Sequence, residues 1–394
     1  MDLIKIRREF HRIPETDFCE IKTTKKILTY LEKFDGTLTY GKHLYELSDD
    51  NDIKDIDEGY TGALITFGHA PYTLFRADID ALPIKECDSA DHVPAKLGFI
   101  SEHDGFMHAC GHDGHIALAL GLAEYFNAYK SLYQNRGIKI LFQPAEEGVY
   151  GAAKMPKSIT DDVDTMLGYH IGLGEPEGYI GVGSTDFYGV KKLSITFTGK
   201  AAHSANNPED GISALDMALA FIDLTRSITF DAKHRRLMNI GMINGGTARN
   251  IIMSEITLGI DARSVDNDAI EIMYHQIESA AKSASEALGG EYQLKTVASA
   301  LGYTEDNMEL TKRISEALNA KNFKTTPNPD FGASEDVTKY MKEVKANGGR
   351  AIHLLLGAKL AGSHHSSKFD FNDSNLQNYF VAIIIAYHTM IEKK

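Results

Sequence analysis

The sequence predicts an α/β protein in two domains, one of which interrupts the other. Three observations carry this. The chain has 394 residues, more than one hydrophobic core ordinarily serves. Helix and strand signals alternate up to about residue 186 and again after residue 300, the pattern of a sheet covered by helices. Between these stretches the order becomes strand, helix, strand, strand, helix, strand, the ferredoxin-like split motif. The expected organisation is a discontinuous domain made of residues 1–186 and 300–394, with an α+β domain inserted at residues 187–299.

In chain order, residues 3–12 space their apolar side chains as a helix that stops before Pro14, and residues 23–34 form a second, with Ile27, Leu28 and Leu31 on one face. Residues 74–79 read as a strand ending in Asp78-x-Asp80, whose alternation puts both acids on one face. Residues 116–129 read as a helix entered through residues 111–115. Residues 138–142 are an apolar strand running into Pro144 and the pair Glu146-Glu147. Residues 166–169 are another, ending at His170. Three strands therefore end at acid or imidazole residues, and ligands of open α/β sheets gather beyond the carboxyl ends of strands.

In the insert, residues 191–198, 237–243, 255–262 and 292–297 read as strands, and 211–227 and 269–288 as helices. After it, 307–320 and 334–344 are helical, the latter with Ser334 as N-cap, and 351–356 is a strand. The apolar run 379–391 is too short to span a membrane and contains Tyr387 and His388, so it reads as a buried terminal helix.

Composition excludes several classes of function. A net charge of −14 argues against a nucleic-acid backbone or an anionic membrane as partner. The basic pairs Lys25-Lys26 and Arg235-Arg236 read as solvated faces. Asp2, Lys5, Arg7, Arg8, Glu9 and Arg12 leave no apolar segment for a signal peptide. Cys19, Cys87 and Cys110 are too few and too scattered for a disulfide framework. A reducing, cytoplasmic setting is expected, one in which a thiolate ligand survives.

The chemistry concentrates in M-H-A-C-G-H-D-G-H, residues 107–115. Cys110 and His112 flank Gly111, which lets the backbone bend so that both reach one ion. A lone cysteine would read as a small buried hydrophobe, but His108, Asp113 and His115 surround this one. A cysteine nucleophile would need one base and no carboxylate pair, so Glu146-Glu147 favours metal. Adjacent glutamates in a loop point different ways, one toward an ion and one toward the water it activates. Asp78 and Asp80 either ligate or orient a ligating imidazole, and an ion pair with Arg76 is an even alternative for Asp78. His170 is a ligand or a satisfied core histidine. Of His364 and His365 one ligates, and spacing does not choose between them. His203 and Asn250 read on spacing alone as turn and strand-end residues, or else as an imidazole and an amide presented to a reacting carbonyl or a substrate carboxylate.

Together these motifs resemble the metallopeptidase family of aminoacylases, carboxypeptidases and amino-acid deacylases with two co-catalytic metals. Within it they are most similar to the amidohydrolase branch of hippurate hydrolases, N-acetyl-diaminopimelate deacetylases and auxin-conjugate hydrolases. The resemblance runs from R-R-E-F-H-R-I-P-E (7–15) to H-H-S-S-K-F-D (364–370). It implies Cys110, His112, Glu147, His170 and His365 as metal ligands, Glu146 as general base and later proton donor, and Asp80 as support for a ligand. Arg76-x-Asp78 stands where relatives carry a His-x-Asp ligand motif, and Cys110 compensates. His203 matches a histidine that stabilises the tetrahedral intermediate, often from a partner subunit, and Asn250 a residue that contacts substrate.

The resemblance further implies a catalytic domain with a mixed sheet flanked by helices and an inserted lid and dimerisation domain. One or two Zn, Mn or Co ions are implied for each copy of the chain, as is at least a homodimer. The expected reaction is metal-dependent hydrolysis of N-acyl amino acids or related small amides. A dipeptidase or carboxypeptidase would use the same residues. A silent binding protein is the remaining alternative, and the intact Glu146 weighs against it. The chain departs from the branch at Ser367, where Pro is usual, and at Val337, where Phe is usual and where the substrate pocket is expected.

Overall fold

In a computed structural model describing residues 1–226, 228 and 236–392, twelve strands build two sheets. Ser227 and Arg235, both named above, lie outside the described residues. Six strands come first: β1 (Thr37–Tyr40), β2 (Ala63–Phe67), β3 (Tyr72–Asp78), β4 (Gly137–Gln143), β5 (Val163–Ile171) and β6 (Tyr179–Val182). Then follow β7 (Gly189–Thr198), β8 (Leu237–Gly245), β9 (Glu255–Ser264) and β10 (Glu291–Ala300), and finally β11 (Lys324–Pro327) and β12 (Arg350–Leu356). By contact density the chain divides into one unit of Met1–Asp186 with Thr304–Lys394 and another of Phe187–Tyr303.

The first unit holds the eight-stranded sheet, in the order β1-β2-β4-β3-β5-β12-β6-β11. β4, β3, β5 and β12 run parallel to one another, while β1, β2 and β6 make antiparallel pairings, so the sheet is mixed. β4 is buried at every residue, as a parallel strand covered on both faces must be. Its one charged side chain, Lys139, is neutralised by Asp162 at 2.5 Å. The chain leaves β3 for β4 on one side and returns to β5 on the other. That reversal opens a crevice at the carboxyl ends of β3, β4 and β5, where the acid and imidazole residues stand.

One helix, His112–Ala128, organises the core behind this crevice. Ile116, Leu118, Leu120, Leu122 and Phe126 are all fully buried, so the helix is apolar on every side. It begins at His112, four residues before the apolar periodicity does, because the polar run His112-Asp113-Gly114-His115 forms its first turn. Gly111 caps it at φ 97°, a conformation open to glycine at little cost. Leu3–His11 and Leu376–Ile391 pack against it, with Phe126 5.2 Å from Tyr387 and 5.6 Å from Phe75 between ring centroids. Each buried ring contributes roughly 1.5–3 kcal/mol by leaving water.

Two predicted boundaries move for physical reasons. The second helix spans Ile21–Leu31, starting and ending earlier than its apolar face suggests. The helix expected from Ser334 begins at Val337, with Asp336 rather than Ser334 at the N-cap, because Glu335 and Asp336 turn inward to Arg76. Val337 is also placed differently from expectation. It is 1% exposed and its Cγ2 abuts Gly168 inside the sheet, so it is a core residue of the first unit.

The second unit is an antiparallel sheet in the order β10-β7-β9-β8, the ferredoxin-like arrangement. Two helices, Ala214–Arg226 and Asn267–Leu288, share its core. Alternate residues Leu193, Ile195 and Phe197 of β7 meet Ile256, Leu258 and Ile260 of β9 and Met217, Phe221, Met273 and Ile277 of the helices. Asp266 caps the longer helix by accepting from the Asp268 and Ala269 amides, and Gly289 ends it at φ 75°.

Candidate active site

The imidazoles at the crevice have their tautomers set by the backbone. His112 Nδ1–H donates to the Asp80 carbonyl at 2.9 Å, and His170 Nδ1–H donates to the Ile171 carbonyl at 2.9 Å. Each Nε2 is left facing the same space, the arrangement that prepares an imidazole for a metal. His112 Nε2 is buried and makes no hydrogen bond among the described residues. Burial alone would lower the His112 pKa, but Asp78, Asp80 and Glu147 around it push it up to about 10. The site is thus electronegative enough to hold a proton where a cation would sit. His115 differs. Its Nε2 accepts from the Ile171 amide at 3.0 Å and its Nδ1–H donates to Asp78 at 2.5 Å, so both nitrogens are used.

Cys110 is 7% exposed, and its Sγ lies 3.6 Å from His170 Nε2. Two donor trios meet at it: Cys110, His112 and His170, and Cys110, Glu147 and His365, each with ligand atoms within 4.8 Å of one another. Burial, then Glu147 and Glu146, hold the thiol well above the usual cysteine range. A cation among these donors reverses that balance. Glu147 is pushed up to about 7, chiefly by burial, and its Oε2 is 3.2 Å from His365 Nε2. Thiolate, imidazole and carboxylate together fit a transition-metal dication.

His364 and His365 have different surroundings. His365 stands at φ 61° with its amide on the Ala109 carbonyl, and its ring faces Glu147. His364 Nε2 accepts from the Leu173 amide at 3.1 Å, and its Nδ1 lies 3.5 Å from Cys110 Sγ. Burial, followed by the neighbouring His365, takes the His364 pKa down to about 3, so its ring is neutral.

The two aspartates after β3 serve different partners. Asp80 Oδ2 accepts the Glu147 amide at 2.9 Å while its carbonyl holds His112, so one residue orients two donors. Asp78 is fully buried between His115 and Arg76, whose Nη1 is 2.6 Å away. Arg76 also pairs with Glu335 at 3.0 Å and Asp336 at 2.7 Å. This buried guanidinium is the counter-charge for three carboxylates, and removing one partner of such a set costs about 3–5 kcal/mol.

Glu146 is 5% exposed and lies with His112 and Glu147 in a third trio of donors. Burial, then Glu335 and Glu147, hold its carboxyl well above the ordinary range, which suits a group that takes up a proton. The turn that presents it is strained. Ala145 sits at φ 57°, a conformation costing an ordinary residue about 1–2 kcal/mol. Glu20 secures it, with Oε1 accepting the Ala145 amide at 2.9 Å and Oε2 accepting the Thr61 hydroxyl at 2.7 Å. Sequence reasoning gives no role to Glu20, Glu335 or Asp336 and none in particular to His115. The one signal for them is the density of acids and histidines around residues 76–80 and 112–115.

In the second unit, His203 and Asn250 are brought side by side. Asn250 accepts the Ser204 amide through its carbonyl at 3.0 Å, and His203 forms a bridge with Ile251. His203 Nδ1 accepts the Ala205 and Asn206 amides, both at 3.2 Å. Its hydrogen is therefore on Nε2, at an exposed position.

Comparison with known proteins places this geometry. The sequence model described as Peptidase family M20/M25/M40 matches residues 74–386. The chain is 34% identical to a p-aminobenzoyl-glutamate hydrolase homolog of Haemophilus influenzae, covering 95% of both chains. It is 33% identical to the N-acetyldiaminopimelate deacetylase of Bacillus velezensis over 71% of each. In fold it is similar to a dinuclear metal-binding M20 peptidase from Bacillus subtilis, with a TM-score of 0.71, 24% identity, and coverage of 98% of this chain and 97% of that one.

Proposed function

The chain belongs to peptidase family M20/M25/M40 and is a metal-dependent hydrolase of amide bonds, and from that premise we propose that it cleaves N-acyl amino acids with Glu146 as the general base. The observation that carries this is the position of Glu146: buried, beside the convergent donors of His112 and Glu147. The similar proteins from Haemophilus and Bacillus are named for an aroyl-glutamate and an acetylated amino acid, both amides of an amino-acid nitrogen.

Cys110, His112, Glu147, His170 and His365 would hold one or two divalent ions, of Zn, Mn or Co. Such ions supply Lewis acidity and acidify water. Glu146 takes a proton from the attacking water at its carboxylate and returns it to the leaving nitrogen. His203 offers its Nε2–H to the developing oxyanion, and Asn250 beside it offers its amide to substrate. Asp80 keeps His112 and Glu147 in register throughout.

The three cysteines are free, and a reducing cytoplasm suits them. No described helix is long and apolar enough to cross a membrane. β8 is an edge strand exposing Leu237, Met242 and Ile243, the last two by 62% and 60%. An apolar edge of this kind is completed by another strand, and a second copy of the chain, making a homodimer, is the proposed partner.

A panel of acetyl-, benzoyl- and aminobenzoyl-amino acids beside dipeptides, each assayed with Zn²⁺, Mn²⁺ or Co²⁺ and with chelator, tests the substrate class. The expected outcome is metal-dependent release of the amino acid from the N-acyl compounds. Turnover of dipeptides alone would refute it.

A further inference from the structure

His364 has no part in the ligand set proposed above, yet both of its ring nitrogens are engaged. The Leu173 amide can only donate, so His364 Nε2, 3.1 Å away, accepts. A neutral imidazole then carries its hydrogen on Nδ1. That hydrogen points at Cys110 Sγ, 3.5 Å from Nδ1.

The surroundings hold this ring in place. It lies against Phe369, with centroids 4.9 Å apart, and 5.6 Å from His170. Gly172, at φ 86°, leaves the space for it. A Cβ there would come within 2.7 Å of His364 Nε2, so a side chain at position 172 would displace the ring from its amide donor. The Leu173 contact sets the tautomer, Gly172 makes room for it, and the hydrogen is delivered to sulfur.

We infer that His364 is a positioning residue for Cys110: its Nδ1–H donates to the thiolate and tunes it as a metal ligand. This rests on the reading of Cys110 as a metal-bound thiolate. Metal binding exchanges the thiol proton for the cation and leaves a charged sulfur in a buried site. A fixed N–H beside that sulfur offsets part of its charge, and hydrogen bonds of this kind govern ligand basicity and metal affinity. The histidine pair thus divides its work: His365 faces Glu147 and the ions, and His364 faces the sulfur.

The test titrates metal-free wild type, His364→Asn, His364→Gln and His364→Ala with Co²⁺. It reads the thiolate-to-cobalt charge-transfer band, the stoichiometry and the dissociation constant. Asparagine places an N–H where Nδ1 stands, whereas glutamine places an acceptor where Nε2 stands. The Asn variant is expected to keep the wild-type band and affinity. In the Gln and Ala variants the sulfur lone pair rises in energy, so the band moves to longer wavelength, Co²⁺ binds about 10–100-fold more weakly and stoichiometry is kept. Unmoved band and affinity in Gln and Ala overturn the inference. So does rescue by Gln but not by Asn, which would make the Leu173 contact the function. Loss of one Co²⁺ equivalent in Asn and Ala alike would make His364 a ligand and also overturns it. A wild type with no charge-transfer band refutes the thiolate reading itself, a result distinct from the other three.

Discussion

At the scale of single residues, the site is a set of donors that protons occupy when a cation does not. Cys110 is held high by burial and by Glu147 and Glu146. His112 stands at about 10, with Asp78 and its neighbours outweighing burial, and Glu147 at about 7 from burial. Each must give up its proton to bind metal, so affinity rises with pH. Above 7 the Glu147 proton has already gone, while those of Cys110 and His112 remain. The slope of log affinity against pH should therefore fall by about one proton as pH rises through 7. Competition titration with a chromophoric chelator from about pH 5.5 to 8.5 checks this, and a flat profile would contradict it. The same residues separate ligand from nucleophile. Mild thiol oxidation should release metal and activity together, and mass spectrometry during turnover should find no acyl group on Cys110.

At the scale of elements, the strand ends and the turns beyond them do the positioning. The Glu146 turn stores backbone strain at Ala145 that Glu20 stabilises from another segment. Glu20 is pushed up to about 8 by burial and by Asp80, so near neutrality it carries a proton and glutamine mimics it. Glu20→Gln should stay within about 1 kcal/mol of wild type. Glu20→Ala strands the Ala145 amide and the Thr61 hydroxyl, at roughly 1–3 kcal/mol for each buried group, with a matching drop in turnover; calorimetry beside kinetics reads both. The long elements were legible in the sequence because β3, β4, β5 and the central helix bury nearly continuous apolar runs. β1, β2, β6 and β11 were not: at four or five residues each they are too short for alternation to register. The true start of the helix at His112 was hidden because its first turn is polar, and that of the Val337 helix because Asp336 spends its carboxylate on Arg76. The metal donors stood out as a motif, but the partners that orient them did not. Glu20, Arg76 and Glu335 reach the site through the fold, and no spacing in the chain links Glu20 to Ala145.

At the scale of the whole molecule, the chain pairs a mixed α/β sheet that carries the metal donors with a ferredoxin-like unit that carries His203 and Asn250. If the β8 edge joins two copies, Ile243→Lys should give a monomer in sedimentation equilibrium with its circular dichroism unchanged. A variant that remains dimeric would move the interface elsewhere. The central claim is that Glu146 carries the proton in metal-dependent amide hydrolysis, and Glu146→Gln tests it most directly. That variant is expected to keep wild-type metal stoichiometry and folding while turnover of an N-acyl amino acid falls about 10²–10⁴-fold. A fully metal-loaded Glu146→Gln enzyme that turns over at the wild-type rate would contradict it.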